Sequence, residues 1–352
     1  IFFENWSAWD IFLEKNTFRL SGSAVKNNKI RLAEPQQQDF ENIKYIPKKF
    51  SNIRSYTFNE DILDNNFFFN FQRDISQVNI FSIEGNEIGL LVSENIEENE
   101  FLNRENVKII DAEKKLIMPG VIDVHTHMRE PGITYKEDFE TGSKACAKGG
   151  ITTFYDMPNT VPATTALENL LNKKELAGKK SIVNFGIHFG GSKNNNINEI
   201  RKVLEKKEAN TVKIFMNVTT GEMLIEDDEI LKGIFKNSEL VLVHAENEMI
   251  DKAIDLNQKY GKGLYVCHIP SAEELKKVIE AKKNNKLNNE KHPIFAEVTP
   301  HHMFLNEEIR ESNERNKMLL RMKPELRKKS DNEFLWKAIN EGYIETIGTD
   351  HA

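Results

Sequence analysis

Short apolar segments alternate with amphipathic segments along most of this 352-residue chain. From Gly120 onward the apolar segments have the length of buried strands, and the segments between them carry apolar residues at helical spacing. The strands that this pattern predicts are 121–127, 152–157, 181–189, 211–217, 240–245, 264–269, 294–299 and 345–350. The helices that it predicts are 137–148, 165–177, 197–207, 226–236, 248–259, 271–284 and 331–341.

The alternation of eight strands with seven helices predicts an α/β fold with a parallel sheet. Eight repeats favour a closed (β/α)8 barrel of the TIM type, in which functional residues lie at the carboxyl ends of the strands. An open doubly wound sheet is the alternative, although no Gly-x-Gly-x-x-Gly follows the first strand. We also expect the eighth helix to be missing, because the sequence ends directly after the eighth strand.

Three regions are predicted along the chain. Residues 1–75 contain aromatic side chains without a clear period, and this N-terminal extension is unassigned. Residues 119–352 form the predicted (β/α)8 barrel, incomplete at its C-terminus. Between them, residues 76–118 predict a small β-domain from three strand-like segments: 78–83, 88–92 and 107–111.

Composition narrows the classes of partner. The net charge of −7 gives no electrostatic footprint for nucleic acid. No apolar segment approaches the roughly 20 residues that a membrane-spanning helix needs. The two cysteines, Cys146 and Cys267, are too few for a disulfide framework and lie in apolar surroundings. Reduced thiols of this kind favour a cytoplasmic location.

Residues that can bind metal ions recur at the carboxyl ends of the predicted strands. His125 and His127 follow the first strand, and side chains two residues apart on a strand point the same way. Neutral imidazole suits zinc and related ions, and buried polar groups are costly unless they are paired or bound to metal. Asp350 joins them at the last strand, so we predict a metal site. The seven histidines at strand ends are His125, His127, His244, His268, His301, His302 and His351.

Three further polar residues need separate interpretations. Lys213 interrupts the apolar fourth strand; its stem could pack while its ammonium reaches solvent, or carbon dioxide could convert it into an anion that bridges two metal ions. An ammonium facing metal ions would be repelled, which favours the second interpretation. His188 is interpreted as a core histidine, and His292 as a surface residue.

Several segments together resemble the signature of dihydroorotases in the cyclic amidohydrolase superfamily. The first contains His-Thr-His-Met-Arg-Glu-Pro-Gly and the last is Thr-Asp-His-Ala. Between them stand Gly-Gly-Ile-Thr-Thr, Met-Pro-Asn-Thr and Val-Thr-Pro-His-His. The segments occupy residues 120–132, 149–153, 157–160, 298–302 and 349–352. The resemblance covers roughly residues 80–352 and implies a TIM-type barrel with two Zn²⁺ ions.

The resemblance also implies roles for individual residues. One zinc ion would be held by His125, His127 and Asp350. The other would be held by His244 and His268, with carboxylated Lys213 as the bridge. Asp350 would also be the catalytic acid and base. The substrate would be bound by Arg129, Asn159, Thr219 and His301, of which Thr219 belongs to a loop that closes over the substrate.

The implied reaction is the reversible hydrolysis of L-dihydroorotate to N-carbamoyl-L-aspartate in de novo pyrimidine biosynthesis. Its partner is a small molecule, and a homo-oligomer is left open. Two alternatives remain: another cyclic amidase, such as a dihydropyrimidinase, hydantoinase or allantoinase, and a non-catalytic paralogue. The sequence departs from the signature at Lys323, where asparagine is usual, and it ends before the Pro-His that follows Asp-His-Ala.

Overall fold

A computed structural model describes residues 120–218, 223–287 and 291–352, with only the backbone described at 286–287. Nearer the N-terminus it describes the backbone of four short strands: β1 (Ala24–Lys26), β2 (Lys29–Arg31), β3 (Gln77–Phe81) and β4 (Glu87–Val92). β1 pairs with β2 and β3 with β4, both antiparallel. The β3–β4 pair accounts for two strands of the predicted small β-layer. The third, at 107–111, lies outside the described residues.

Residues Gly120–Ala352 belong to one compact unit, whose described residues contain nine parallel strands. They are β5 (Val121–Thr126), β6 (Ile151–Asp156), β7 (Asn184–Ile187), β8 (Phe189–Gly190), β9 (Thr211–Phe215), β10 (Leu240–His244), β11 (Leu264–Val266), β12 (Ile294–Val298) and β13 (Thr346–Ile347). β5, β6 and β7 pair in chain order, and so do β8 to β13. β7 and β8 are parts of one predicted strand, separated by His188.

The strands close into a barrel. A parallel bridge joins Thr126 at the end of β5 to His351 beyond β13. The backbone N–H of His127 donates to the carbonyl of His351 at 2.7 Å, and that of Asp350 donates to the carbonyl of His125 at 2.9 Å. The closed barrel is therefore confirmed, and the open sheet is excluded for this unit.

Seven helices of the described chain follow the predicted ones within a few residues: Phe139–Lys148, Leu167–Lys180, Ile197–Glu205, Asp228–Asn237, Glu248–Tyr260, Ala272–Leu287 and Lys329–Asn340. Three short helices that the pattern does not predict lie after β12: Pro300–Phe304, Glu307–Glu311 and Glu314–Leu319. The side chains of Asn306 and Asn313 cap the second and third by accepting from backbone N–H groups three residues on. These helices form one wall above the barrel.

The core lies between the strands and the surrounding helices, where apolar side chains such as Ile214, Val243 and Val266 are fully buried. Strands of a parallel barrel are covered on both faces, which explains their nearly continuous apolar sequences. The charged residues that interrupt these strands, among them Asp123 and Lys213, are therefore exceptions that need partners. No helix in the described part of the chain is long and apolar enough to cross a membrane.

Candidate metal centre

A cavity of about 1040 Å³ lies at the carboxyl ends of the barrel strands. Its floor contains most of the side chains that the sequence singles out, and its wall includes residues of the short helices after β12. The floor residues are His125, His127, Arg129, Asn159, Lys213, His244, His268, His301 and Asp350. Residues far apart in sequence therefore meet at the end of the barrel where the fold places functional groups.

The side chains of His125, His127 and Asp350 converge. Oδ1 of Asp350 lies 3.2 Å from Nε2 of His125 and 3.0 Å from Nε2 of His127. Both imidazoles are buried, and their other ring nitrogens donate to Glu297 and Asn159. Two Nε2 atoms and one carboxylate oxygen are thus directed at the same small volume, as ligands of one metal ion would be.

His244 and His268 form a second pair beside the first. Nδ1 of His244 and Nε2 of His268 are 2.9 Å apart. Two nitrogen ligands of one tetrahedral zinc ion stand roughly 3.3 Å apart, given a bond of about 2.0–2.1 Å. The remaining nitrogens, Nε2 of His244 and Nδ1 of His268, are buried without a hydrogen-bond partner among the described residues. A metal ion held by this pair would take the two nitrogens that face each other, Nδ1 of His244 and Nε2 of His268, while Nε2 of His244 lies 3.6 Å from Oε1 of Glu246.

Lys213 lies on β9 and is fully buried. Its Nζ lies 3.0 Å from Sγ of Cys267 and 5.1 Å from the centre of the Phe215 ring. The interpretation in which its ammonium reaches bulk solvent is therefore wrong. No carboxylate of the described residues pairs with it within 4.0 Å, so this buried amine lacks the counter-charge that burial normally demands.

The whole cluster fits a metal centre. Ligand atoms of His125, His268 and Asp350 lie within 4.8 Å of one another, which links the two histidine pairs. The donor set consists of imidazole and carboxylate groups, which suits zinc and other first-row divalent ions.

Asp350 is ionised in this setting. Burial alone would raise the pKa of its carboxyl group, but the adjacent His125 and His127 hold that pKa well below its usual range. Burial, with smaller contributions from His244 and Lys213, lowers the pKa of His268 well below its usual value. The ionised Asp350 and the neutral His268 suit metal binding. Burial alone would lower the pKa of His125, but the Glu297 and Asp350 carboxylates raise that pKa well above its usual value, so His125 would release a proton on binding a metal ion.

Glu297 is a residue of the site that the sequence analysis missed. It lies on β12 and is fully buried. Its carboxylate accepts from Nδ1 of His125 at 2.7 Å, from the backbone N–H of His268 at 2.8 Å and from the hydroxyl of Tyr265 at 2.7 Å. The sequence signal that could have identified Glu297 is a charged residue inside an apolar strand, as with Lys213 in β9.

Asp123 was also missed. Its carboxylate accepts from the backbone N–H of His125 at 3.1 Å. It also accepts from the backbone N–H of Thr349 at 3.1 Å and from its hydroxyl at 2.6 Å. Asp123 therefore links the first strand to the segment after the last strand by hydrogen bonds, next to the metal-ligand candidates His125 and Asp350.

Arg129 and Asn159 lie on neighbouring loops of the cavity. Nε and Nη1 of Arg129 are buried and have no hydrogen-bond partner among the described residues. Oδ1 of Asn159 accepts from Nδ1 of His127 at 2.8 Å, so this amide also orients a metal-ligand candidate. Unsatisfied guanidinium nitrogens in a cavity are a natural partner for an anion, above all a carboxylate.

The left-handed backbone conformation recurs in the cluster. Arg129, His268 and Asp350 have φ angles of 57°, 36° and 51°. Such a conformation costs of order 1–3 kcal/mol for a non-glycine residue, and it persists only where the surroundings enforce it. Sequence patterns give no signal of it.

Five of the seven strand-end histidines line the cavity, and the other two do not. His302 is buried between Thr299 and the carbonyl of Pro324, and Nε2 of His351 lies 2.7 Å from the Glu137 carboxylate. The expectation of seven converging histidines is therefore wrong for these two, because both turn towards protein partners. His301 lines the cavity beside His302.

The remaining predicted residues fall as follows. Thr219 lies outside the described residues. Lys323 lines the cavity, and its Nζ lies 3.2 Å from the Glu325 carboxylate. His188 is a satisfied core histidine, as expected, bonded to Thr211 and to the carbonyl of Val124. His292 is partly exposed.

Comparisons with known proteins identify relatives of this chain in sequence and in fold. A dihydroorotase of Methanosarcina acetivorans is 34% identical over 277 residues, covering 69% of this chain and 58% of the relative. One of Pyrococcus abyssi is 35% identical over 254 residues, covering 68% and 56%. The solved L-hydantoinase (dihydropyrimidinase) of Arthrobacter aurescens superposes with a TM-score of 0.65 at 25% identity, covering 80% of this chain and 66% of that one.

The chain spans about three fifths of the length of the curated relatives that it matches. A profile of the amidohydrolase family matches residues 116–352, which is more than half of the chain. Members of this family are generally metal-dependent, in keeping with the cluster at the barrel end. The chain belongs to the amidohydrolase family.

Proposed function

We propose that this protein is a zinc-dependent dihydroorotase, which interconverts L-dihydroorotate and N-carbamoyl-L-aspartate in pyrimidine biosynthesis. The observation that carries the proposal is the buried Arg129 guanidinium, whose Nε and Nη1 lack partners beside the metal-ligand candidates. A substrate with a ring amide to cleave and a carboxylate to anchor fits both features. Seven curated dihydroorotases at 31–35% identity support it.

The proposed centre holds two zinc ions. His125, His127 and Asp350 would hold one, His244 and His268 the other, and a carboxylated Lys213 would join them. Carboxylation turns the unpaired buried amine into an anion, which would supply the counter-charge that the described residues do not provide. Bound zinc lowers the pKa of water and polarises a carbonyl group.

Asp350 would act as base and then as acid. Its carboxylate is ionised at neutral pH, because His125 and His127 lower its pKa against the effect of burial. It can therefore accept a proton from the attacking water. It then delivers that proton to the amide nitrogen that leaves the carbonyl carbon, which balances the hydrolysis.

Arg129 would bind the substrate carboxylate through its unpartnered nitrogens, with Asn159 and His301 as further contacts in the same cavity. A bidentate guanidinium–carboxylate pair fixes both the position and the plane of the ring. The ring amide is then presented to the metal centre, so binding energy far from the reacting bond sets its orientation. Thr219 remains a predicted contact from its loop.

A second cyclic amidase activity deserves a direct comparison, because the hydantoinase of Arthrobacter aurescens superposes well on this chain. Hydantoins and dihydrouracil lack the ring carboxylate, and they would leave the Arg129 guanidinium buried without a partner. Leaving a buried charged donor unsatisfied costs more than a lost neutral hydrogen bond. This cost favours dihydroorotate as the substrate.

The test is turnover of L-dihydroorotate by the zinc-reconstituted protein, with dihydrouracil and allantoin assayed in parallel. We expect a kcat/KM at least tenfold higher for dihydroorotate. Arg129→Met should remove that preference mainly by raising KM for dihydroorotate, since a charge-assisted hydrogen bond contributes roughly 1.5–3 kcal/mol. Equal or better turnover of dihydrouracil by the native protein would favour the hydantoinase assignment instead.

We further propose a cytoplasmic location, because both cysteines are free and buried. A homo-oligomer is compatible with this assignment. Size-exclusion chromatography with light scattering would establish the oligomeric state.

A further inference from the structure

A buried ion pair between a lysine and an aspartate lies beside the cavity. Asp156 ends β6, and Lys173 lies on the helix Leu167–Lys180. Both side chains are fully buried, and Nζ of Lys173 lies 2.6 Å from Oδ2 of Asp156. Neither residue belongs to the proposed metal centre, and a buried ion pair is by itself weak evidence of a gain in stability.

The pair contacts the two loops that carry the carboxylate-binding candidates. Oδ1 of Asp156 accepts from the backbone N–H of Met128 at 2.6 Å, directly before Arg129. Nζ of Lys173 donates to the carbonyl of Met157 at 2.7 Å, two residues before Asn159. One ion pair therefore holds the backbone beside both Arg129 and Asn159.

Asp156 also lies within electrostatic range of the Arg129 guanidinium. Burial lowers the pKa of Arg129, and the carboxylates of Asp350 and Asp156 oppose that effect. No hydrogen bond joins Arg129 to Asp156, because the carboxylate oxygens of Asp156 bond to Met128 and pair with Lys173. The Asp156 carboxylate thus has two cations nearby, Lys173 and Arg129, and it forms an ion pair only with Lys173.

We propose that Lys173 is a positioning residue that holds the Asp156 carboxylate away from Arg129, and so keeps the guanidinium free for a carboxylate on the substrate. The inference deepens the proposed function and rests on it, since it assigns to this pair control over how the site selects carboxylated rings. Without Lys173, Asp156 would be an uncompensated anion in a dry interior, and Arg129 is a cation within its electrostatic range whose Nε and Nη1 have no hydrogen-bond partner among the described residues. The two would pair, and Asp156 would compete with the substrate.

The test compares three variants of the zinc-loaded protein: Lys173→Met, Asp156→Asn and the double variant. Methionine keeps an unbranched side chain without charge, and asparagine keeps the oxygen that accepts from Met128. Isothermal titration measures the dissociation constants of orotate, which has the ring carboxylate, and of uracil, which lacks it. Lys282→Met is the matched control, because it breaks another lysine–carboxylate ion pair, between Lys282 and Glu345, at the amino end of β13.

The proposal predicts an asymmetric result. Lys173→Met should weaken orotate binding about ten- to a hundredfold, as expected for a lost charge-assisted contact, while uracil binding changes less than about threefold. Asp156→Asn and the double variant should bind orotate within about threefold of the native protein, because neither contains the competing carboxylate. Lys282→Met should leave both constants unchanged.

A purely structural role for the ion pair predicts a different pattern. Both single variants would then bind ligand more weakly, and the affinities for orotate and uracil would fall by similar factors. That result would overturn the proposal. If Lys173→Met does not fold, Asp156→Asn still decides the question: weaker orotate binding in that variant contradicts the competition that we infer.

Turnover of L-dihydroorotate by the native protein, measured alongside, separates this inference from the proposed reaction. The asymmetric pattern without turnover would support the role of Lys173 and reject the reaction. Turnover without the pattern would reject the role of Lys173 alone. A native protein that binds orotate no better than uracil would reject both the role of Lys173 and the carboxylate site.

Discussion

The Glu297 carboxylate accepts a 2.7 Å hydrogen bond from Nδ1 of His125, which leaves Nε2 of that ring facing Asp350. The same carboxylate accepts from the backbone N–H of His268, a residue of the other histidine pair. A single buried side chain on β12 therefore orients ligand candidates for both proposed ions. Partners of this kind fix the tautomer and orientation of a ligating imidazole.

Glu297→Gln should weaken zinc binding about 10- to 100-fold, because the amide is a poorer acceptor for His125. Competition with a chelator of known affinity measures this change. The control is Glu274→Gln, which alters another buried carboxylate that bonds to Asn247 and Ser271 but to none of the ligand candidates. Equal zinc affinity in the Glu297 variant and the control would contradict the orienting role.

Lys213→Met should abolish binding of the second equivalent of zinc, because the bridging anion cannot form. Intact-mass analysis under native conditions should show one added carbon dioxide on the native protein and none on the variant. Short carboxylic acids should partly restore metal binding and turnover to Lys213→Ala, whose truncated side chain leaves room for them. Full zinc occupancy in either variant without added acid would refute the bridge.

Gly348→Ala should destabilise the barrel where the last strand meets the metal centre. A Cβ at this position would lie 2.6 Å from Oε2 of Glu297 and 2.8 Å from Cβ of His125. Overpacking of this kind costs typically 1–3 kcal/mol in the free energy of unfolding, measured by urea denaturation.

Gly178→Ala is the matched control for that substitution. Gly178 lies within the helix Leu167–Lys180, and the nearest atom to an added Cβ belongs to Phe185 at 3.9 Å. Alanine favours a helix over glycine by roughly 0.5–1 kcal/mol, so this variant should be as stable as the native protein or slightly more stable. A similar loss of stability in both variants would show that the contact with Glu297 is not the cause.

His188 should make the protein sensitive to acid. Burial lowers the pKa of its imidazole to about 3. Between that value and the usual pKa near 6.5, the unfolded chain binds a proton at His188 and the folded chain does not, so stability falls as the pH falls. His188→Gln should reduce the slope of unfolding free energy against pH by about 1.4 kcal/mol per unit in this window. Urea denaturation of the metal-free protein at several pH values measures it, and identical slopes would contradict the assignment.

The strand and helix pattern was sufficient to predict the barrel, because each strand of a parallel barrel is an apolar segment followed by an amphipathic helix. It could not predict the short helix Glu307–Glu311, whose five residues are too few to show a helical period. The asparagine caps at Asn306 and Asn313 are the local signals that do mark these helices.

The expectation that residues at the carboxyl ends of the strands lie together correctly placed His125, His244 and Asp350 in one cavity. It holds because parallel strands end at the same edge of the sheet. The same expectation wrongly included His302 and His351, since the end of a strand fixes where a residue lies and not what its side chain contacts. Glu297 lies inside β12, and the expectation about strand ends considers only the residues that end or follow a strand. Its role becomes visible only when β12 is placed beside β11 and β13.

Anomalous diffraction at the zinc edge from crystals of the zinc-loaded protein tests most directly whether a two-ion centre lies at the carboxyl end of the barrel. We predict two peaks in the cavity, one among His125, His127 and Asp350 and one between His244 and His268, with electron density for a carboxylated Lys213 joining them. A single peak, or two peaks away from these side chains, would contradict a two-ion centre held by these residues.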